Sequence, residues 1–546
     1  YRREYVHNFM YEIVIMHINY AFYFMMKWSL MTMKTTLMSA VLLSLGMTAS
    51  VLAAPATTAN VSVDSPYVDS PYYGYIEKLS AMGYLDTMPN GAKPYSRMQM
   101  AQWVVQAQDK AQTKPMPKYL ADQVDALAQY VAPEVATLRG EKTYDPLKLR
   151  SVSLTAAAQL SDTSRHSYSR AVNAGWQTFG ANRNGYKYGR DGNGILEAEI
   201  FGNIGHETAI ALRPRFSYDK DNDFSASLEE GYIKTRAGIW AFEAGKEAMT
   251  WGQGETGNLA LGNNMRPLTT IQAHFIEPQK VGGFFRFLGQ ADVHLFYGFL
   301  EGDRRDRAAA RGMTDYDDAG LIGIRADFSP TSYFTFGLSR LSMLGGDGNG
   351  LDSSDWGHWL YGRNDDADKD RWDDIAGGDF RLSLPGVTFY GELYGEDQSH
   401  YMPSKVAYRA GIYLPKLTHD GSWDMTLEMA DTSDDWYGHQ RFNNGWTYHD
   451  AIMGDAMGRD ARKYYGAIRH YLPHETSIGL YAQRTEMERG MRIHPTVNEF
   501  GLTGQTKLAQ DVYLSGIIGY ANVENADFTI HTDHDKFATA TIQWRY

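Results

Sequence analysis

Cysteine is absent from the 546-residue chain. That excludes a disulfide framework, a thiolate metal site and a lipidated N-terminal cysteine. Basic charge is in deficit, with 52 Lys and Arg against 65 Asp and Glu, a net −13. An acidic chain is a poor partner for phosphate backbones, so nucleic acid is not an expected ligand. Beyond residue 53 no stretch approaches eighteen consecutive apolar residues, and no helix is expected to span a bilayer. The sixteen histidines lie scattered, with no nucleophile motif beside them. Glu396 and Asp397 are adjacent; on a strand they face opposite ways and cannot serve one acid–base site. The composition favours no enzyme class and demands no cofactor.

The chain lacks an initial Met. Residues 1–32 read as upstream read-through, with Met33 as the initiator. Lys34 is a short positive region, and "LMSAVLLSLGMTASV" is an apolar core. Val51 and Ala53 offer the −3 and −1 positions of a cleavage site, so 33–53 is expected to be a signal peptide. An exported, Cys-free chain points to the bacterial cell envelope.

The route across a membrane that remains is a closed β-barrel, in which every backbone polar group pairs with a neighbouring strand. Tyr (37), Trp (12) and Gly (53) are plentiful. A mean hydropathy of −0.43 is no objection, because half of each barrel strand faces a wet lumen. The terminal "KFATATIQWRY" is the sharpest case. Tyr546, Trp544, Ile542, Ala540 and Ala538 share one face; Arg545, Gln543, Thr541 and Thr539 share the other. That reads as lipid on one side and water on the other, with aromatics at the interface. "DVYLSGIIGYANV" and "TSIGLYAQRTE" alternate likewise. "GLIGIRADFSPTSYFTFGLSRLSM" reads as a hairpin turning at Ser329-Pro330-Thr331. Short turns alternate with long polar stretches such as 345–374. A barrel over 150–546, at about 20–25 residues per strand and connection, holds on the order of 16–20 strands. The fold class is therefore all-β, a transmembrane antiparallel barrel.

Residues 54–145 read as helices instead. Ser70 and Pro71 open one that stops at Gly83. Ser96 and Gln99 stand in capping-box spacing ahead of "RMQMAQWVVQAQDKA". "YLADQVDALAQYVAPEVATL" is a third, interrupted near Pro133. This small segment is expected in the periplasm as a plug or scaffold. Through "PNG" (89–91) and "SRMQMA" (96–101) it also resembles one S-layer-homology repeat, with Gln99 where Glu is usual. That likeness implies cell-wall polymer as a partner.

"GQGETG" (252–257) spells the letters of a dinucleotide-binding turn. Such a turn needs a helix after it, whose N-terminus meets the pyrophosphate. Here "NLALGNNMRPLTT" follows, with Gly262 and Pro267, so no helix begins. The P-loop Lys is missing as well. The glycines read as an inward-folding barrel backbone.

The same stretch, "WGQGETGNLALGNNMRP" (251–267), resembles the signature of the Wzi capsule assembly family. Trp251, Gly252, Gly257, Leu259, Leu261, Asn264, Arg266 and Pro267 match that pattern. "GLSR", "GGDG", "IAGGDFRLSLP", "YGEDQSHYMPSK", "LEMADT" and "NNGWTYHDAIMG" follow in the family's order. The resemblance implies an outer-membrane barrel of about eighteen strands that holds capsular polysaccharide on the cell surface, without catalysis. Its partners would be that polysaccharide, outer-membrane lipid and the export machinery. A passive porin is the alternative, and a surface hydrolase a more distant one.

A glycan site needs flat apolar faces and hydrogen-bonding rims. Residues 352–374 supply both: Trp356, Trp359 and Trp372 for stacking, and Asn364, Asp365, Asp366, Asp370 and Asp374 for hydroxyls. "DKDNDFSASLEE" (219–230) has EF-hand-like acidic spacing, but Phe224 stands at the obligatory glycine. It reads as a hairpin turn, and no metal site is assigned.

Overall fold

Alternation of polar and apolar residues, run through eighteen strands of eight or more residues, closes this chain on itself. The computed structural model describes residues 59–63, 70–141, 143–161, 165–169, 172–360, 371–399 and 402–546. The expected read-through (1–32) and signal peptide (33–53) lie outside the described residues. Two compact units are present. Of one, the described part is Lys280–Leu288, which contains a 3-10 turn with Phe284, Phe285 and Phe287 exposed. The other holds Ala53–Gln279 and Gly289–Tyr546.

The barrel strands are β1 (Lys148–Leu160), β2 (Asp191–Asn203), β3 (Thr208–Asp219), β4 (Asp223–Ala237), β5 (Trp240–Glu247), β6 (Leu268–Phe275), β7 (Gln290–Phe299), β8 (Gly320–Thr331) and β9 (Phe334–Leu344). They continue as β10 (Trp372–Leu384), β11 (Val387–Ser399), β12 (Met402–Leu414), β13 (Trp423–Thr432), β14 (Arg462–Leu472), β15 (Thr476–Glu486), β16 (Thr496–Ala509), β17 (Val512–Glu524) and β18 (Thr532–Arg545). Each pairs antiparallel with the next, and β18 returns to β1 from Ser151↔Arg545 to Leu160↔Lys536. Closure leaves no free edge, as a hydrocarbon environment requires.

The two faces separate as the sequence pattern demands. Leu154, Phe242, Ile271, Leu338, Leu393, Leu480 and Ile518 point outward and are exposed. On β18, Trp544 is also exposed, while Gln543 and Thr541 hydrogen-bond Ser151 and Thr155 across the seam. Buried charged groups line the inside, among them Lys234, Glu243, Arg325, Asp379, Arg409 and Lys463.

One mouth carries mostly short turns, and both the entry at Lys148 and the exit at Arg545 lie there. The other carries long connections: 161–190, 248–267, 300–319, 345–371 and 433–461. The β3–β4 turn, where the acidic run 219–230 lies, is a tight hairpin. Asp219 Oδ1 accepts from the Asp221 and Asn222 amides at 2.9 and 2.8 Å. The β8–β9 turn falls at Ser332-Tyr333 rather than at 329–331. Pro330 lacks an N–H and breaks the ladder after Phe328, but pairing resumes at Thr331↔Phe334. Residues 372–374, expected in a loop, open β10 instead.

Among the described residues four helices precede the barrel: α1 (Pro71–Ala81), α2 (Arg97–Ala111), α3 (Lys118–Tyr130) and α4 (Ala132–Leu138). Ser96 Oγ accepts from the Gln99 amide at 3.1 Å, capping α2. Gly83, at φ +74°, releases the chain after α1. Ile76, Leu79, Val104, Leu120 and Leu127 form their shared core. Arg97 pairs Glu134 at 2.9 Å and ties α2 to α4. The bundle sits in the short-turn mouth. Lys78 Nζ donates to the Pro415 carbonyl at 2.6 Å and pairs Asp424 at 3.2 Å, and the Tyr119 ring stacks on Tyr471.

Candidate functional site

The glycine-rich turn binds anions, but they are the protein's own carboxylates. Amides of Gln253, Gly254 and Leu259 donate to Glu392 at 3.1, 2.9 and 2.8 Å. Those of Glu255 and Thr256 donate to Glu428 at 2.7 and 3.2 Å. Convergent backbone N–H groups favour negative charge, so the segment wraps two wall side chains rather than a pyrophosphate. Only glycine suits two of its positions. Gly252 has φ +143°, and a Cβ there would lie 2.6 Å from Asn258 Oδ1 and Glu392 Oε1. Gly257 has φ +135°. Trp251, nearly fully buried, packs edge-on against Phe296 at 5.2 Å. Asn264 Nδ2 donates to the Ile452 carbonyl at 3.0 Å, and Pro267 is buried just before β6.

A charge network extends this floor. Arg409 is fully buried and pairs with Glu428 and Asp455; Lys463 Nζ lies 2.7 Å from Asp455. Burial would raise the Asp455 carboxyl, but Lys463 and Arg409 hold it below the usual carboxylate range. Glu255 shifts the other way. Burial pushes it up to about 7, aided by Glu77 and Glu428 and opposed by Arg469.

The expected tryptophan site is distributed otherwise than its spacing implied. Trp372 is buried and donates from Nε1 to Asp374 at 3.1 Å. Trp359, on helix α5 (Ser353–Leu360), is buried beside it with Nε1 on Ser342 Oγ at 2.8 Å. With Leu344 they form a small apolar cluster. Arg340 lies over the Trp359 ring at 4.9 Å and pairs Asp374 at 2.6 Å. Trp356, edge-on to Trp359 at 5.7 Å, remains 37% exposed, so its ring is the one offered to solvent. Asn364, Asp365, Asp366 and Asp370 lie outside the described residues.

A cavity of about 460 Å³ opens at the long-loop mouth, between segments 165–190 and 451–457 and the inner face of β14–β17. Trp176, Tyr168, Phe179 and Tyr481 give it apolar walls, and Asn182 and Gln483 give it amides. Trp176 is buried and tilts against His166 at 4.5 Å; its indole N–H meets no acceptor among the described residues. At the rim stand Arg165 and Lys187, and both pair with Asp450, Lys187 at 2.8 Å. Arg307 approaches the same carboxylate at 3.9 Å. Burial and the charges of Arg165, Arg266 and Arg307 push the Lys187 ammonium down to about 7. This site was not found by motif reading. Its signal was the aromatic and basic run "GWQTFGANRNGYKYGR" (175–190), whose partners lie hundreds of residues away.

An apolar outer belt, a charged interior, a helical bundle in one mouth and loops folded over the other define a plugged outer-membrane β-barrel. No helix among the described residues is long and apolar enough to cross a membrane. The family model described as capsule assembly protein Wzi matches residues 161–538, and the chain belongs to that family. The solved structure of Wzi from Escherichia coli aligns with a TM-score of 0.64 over 89% of this chain and 100% of that one. It is described as an outer membrane protein involved in group 1 capsule assembly and as a carbohydrate-binding β-barrel. At 18% identity that likeness establishes the fold. A Klebsiella pneumoniae protein, an uncharacterized 55.8 kDa protein in the cps region, is 30% identical over 177 residues. The match covers 31% of this chain and 33% of that protein, so the chain spans about a third of this relative's length.

Proposed function

We propose that this protein is a non-catalytic, lectin-like anchor that holds capsular polysaccharide at the outer surface of the outer membrane. Its helical bundle lies on the periplasmic side and its long loops face outward. The observation that carries this reading is the cavity of about 460 Å³ at the long-loop mouth, with aromatic walls and hydrogen-bonding amides. Sugar rings present an apolar face and a hydroxyl edge, and this lining matches both. Exposed Trp356 adds a ring on the same rim of loops. Membership of a capsule assembly family supports the reading, as does the carbohydrate binding ascribed to the E. coli relative. A porin fits less well, because the Gly252–Pro267 segment and α1–α4 occupy the lumen from its two ends. A hydrolase gains no support from Glu396, which is buried and accepts the Tyr437 amide at 2.6 Å.

The test is recapture. Cells that make no polysaccharide of their own are given labelled surface polysaccharide, with and without this barrel in the membrane. Capture that depends on the barrel is the expected result. Equal binding to both would defeat the reading.

A further inference from the structure

We infer that the cavity between segments 165–190 and 451–457 binds a carboxylate-bearing sugar residue, with Trp176 donating its indole N–H to the sugar and Arg165 and Lys187 pairing its carboxylate. The inference rests on the anchoring reading above and adds the site and the ligand's chemical class.

Three observations converge on it. A cavity of about 460 Å³ falls within the roughly 300–1,000 Å³ of small-ligand pockets. Trp176 lines the cavity wall, and its buried indole N–H meets no acceptor among the described residues. A buried donor left unmade is costly, and a sugar oxygen would satisfy it. Third, the charges at the rim do not balance. Arg165, Lys187 and Arg307 all converge on the single carboxylate of Asp450. Arg307 has Glu301 as a second partner at 2.7 Å. Arg165 and Lys187 have Asp450 alone as an acidic partner among the described residues, with Asp450 shared three ways. The other acids lining the cavity are engaged elsewhere. Asp221 faces Arg190 at 3.4 Å, Asp455 lies between Arg409 and Lys463, and Glu499 accepts from the Phe179 amide at 2.8 Å and from Gln483 at 3.1 Å. A second carboxylate, brought by the ligand, would pair with Arg165 and favour the protonated form of Lys187, completing a charge-assisted pair with each. A neutral sugar would leave that excess unmatched.

The experiment uses the full chain in detergent micelles and two probes. One is polysaccharide purified from the surface of the same bacterium. The other is that polymer after chemical reduction of its carboxyl groups to alcohols. The account expects the native polymer to bind and the reduced polymer to bind at least about tenfold more weakly. It expects a similar loss in the Arg165→Gln, Lys187→Gln double variant, about tenfold. Trp176→Phe keeps a ring and removes the N–H, and should weaken binding by about three- to tenfold. Heat-modifiable gel migration confirms folding of each variant. If the double variant does not fold, Arg165→Gln at the half-exposed rim carries the test. Reduced polymer binding as tightly as native, or a folded charge variant binding as wild type does, overturns the inference and leaves anchoring intact. Failure of wild type to bind the native polymer overturns both.

Discussion

Glu255 is a carboxylate that the fold makes unwelcome. It stands in the glycine-rich turn at 3.8 Å from Arg469, yet burial and two nearby glutamates raise it from 4.5 to about 7. The raised value means the folded state holds this proton more tightly than the unfolded chain does. Its contribution is therefore fully present below about pH 4.5 and is lost as pH rises through about 7. Glu255→Gln should raise the unfolding temperature near pH 8 and leave it unchanged near about pH 4. Identical shifts at both pH values would contradict the assignment. The tryptophans of 345–374 divide by burial. Trp372→Ala should cost about 3–5 kcal/mol in denaturant unfolding, the usual result of emptying a packed indole site. Trp356→Ala should leave stability within about 0.5 kcal/mol and weaken polysaccharide capture. A destabilised Trp356 variant with a tolerated Trp372 variant would reverse that division. The sequence offered three tryptophans as equals because spacing shows ring count, not which face of a strand or helix each ring takes. Trp372 lies on the outward face of β10, on the same side as exposed Phe380, and is buried because the helix carrying Trp359 covers it; nothing local announces that cover.

At the scale of elements, local chemistry was legible and long-range pairing was not. The Ser96 cap, the Gly83 stop and the break at Pro133 were readable because each depends on neighbours within four residues. The lipid and lumen faces of β18 were readable because side chains alternate with period two. The β8–β9 turn slipped because Pro330 interrupts pairing without ending the strand. The glycine-rich turn shows the limit. Its letters excluded a dinucleotide once the following helix was missing, but its actual anions, Glu392 and Glu428, lie about 130–170 residues downstream. Gly252→Ala forces a side chain into positive φ against Asn258 and Glu392 and should cost about 1–3 kcal/mol. Gly194→Ala, on β2 with open space around it, is the control and should be tolerated. Equal unfolding curves for the two would show that the turn is not constrained as described.

For the whole molecule, the closed barrel followed from the absence of an apolar helix together with strand alternation. The contents of its lumen did not. That inward folding of 252–267 meets the N-terminal segment, with the Gly252 amide on the Gly91 carbonyl at 3.0 Å, is a tertiary fact, and buried pairs such as Lys78–Asp424 and Arg409–Asp455 tie the lumen contents to the wall. Such buried pairs are strongly coupled, and removing one partner leaves a stranded charge. A barrel filled in this way should show no stable ohmic conductance in a planar bilayer. Steady open-channel current from the intact chain would revive the porin. Anchoring itself is a property of the cell. The most direct measurement is to delete the gene and compare polysaccharide on washed cells with polysaccharide in the medium. The account predicts an unchanged total that shifts from cells to medium, restored by the wild-type gene. An unchanged distribution would contradict it.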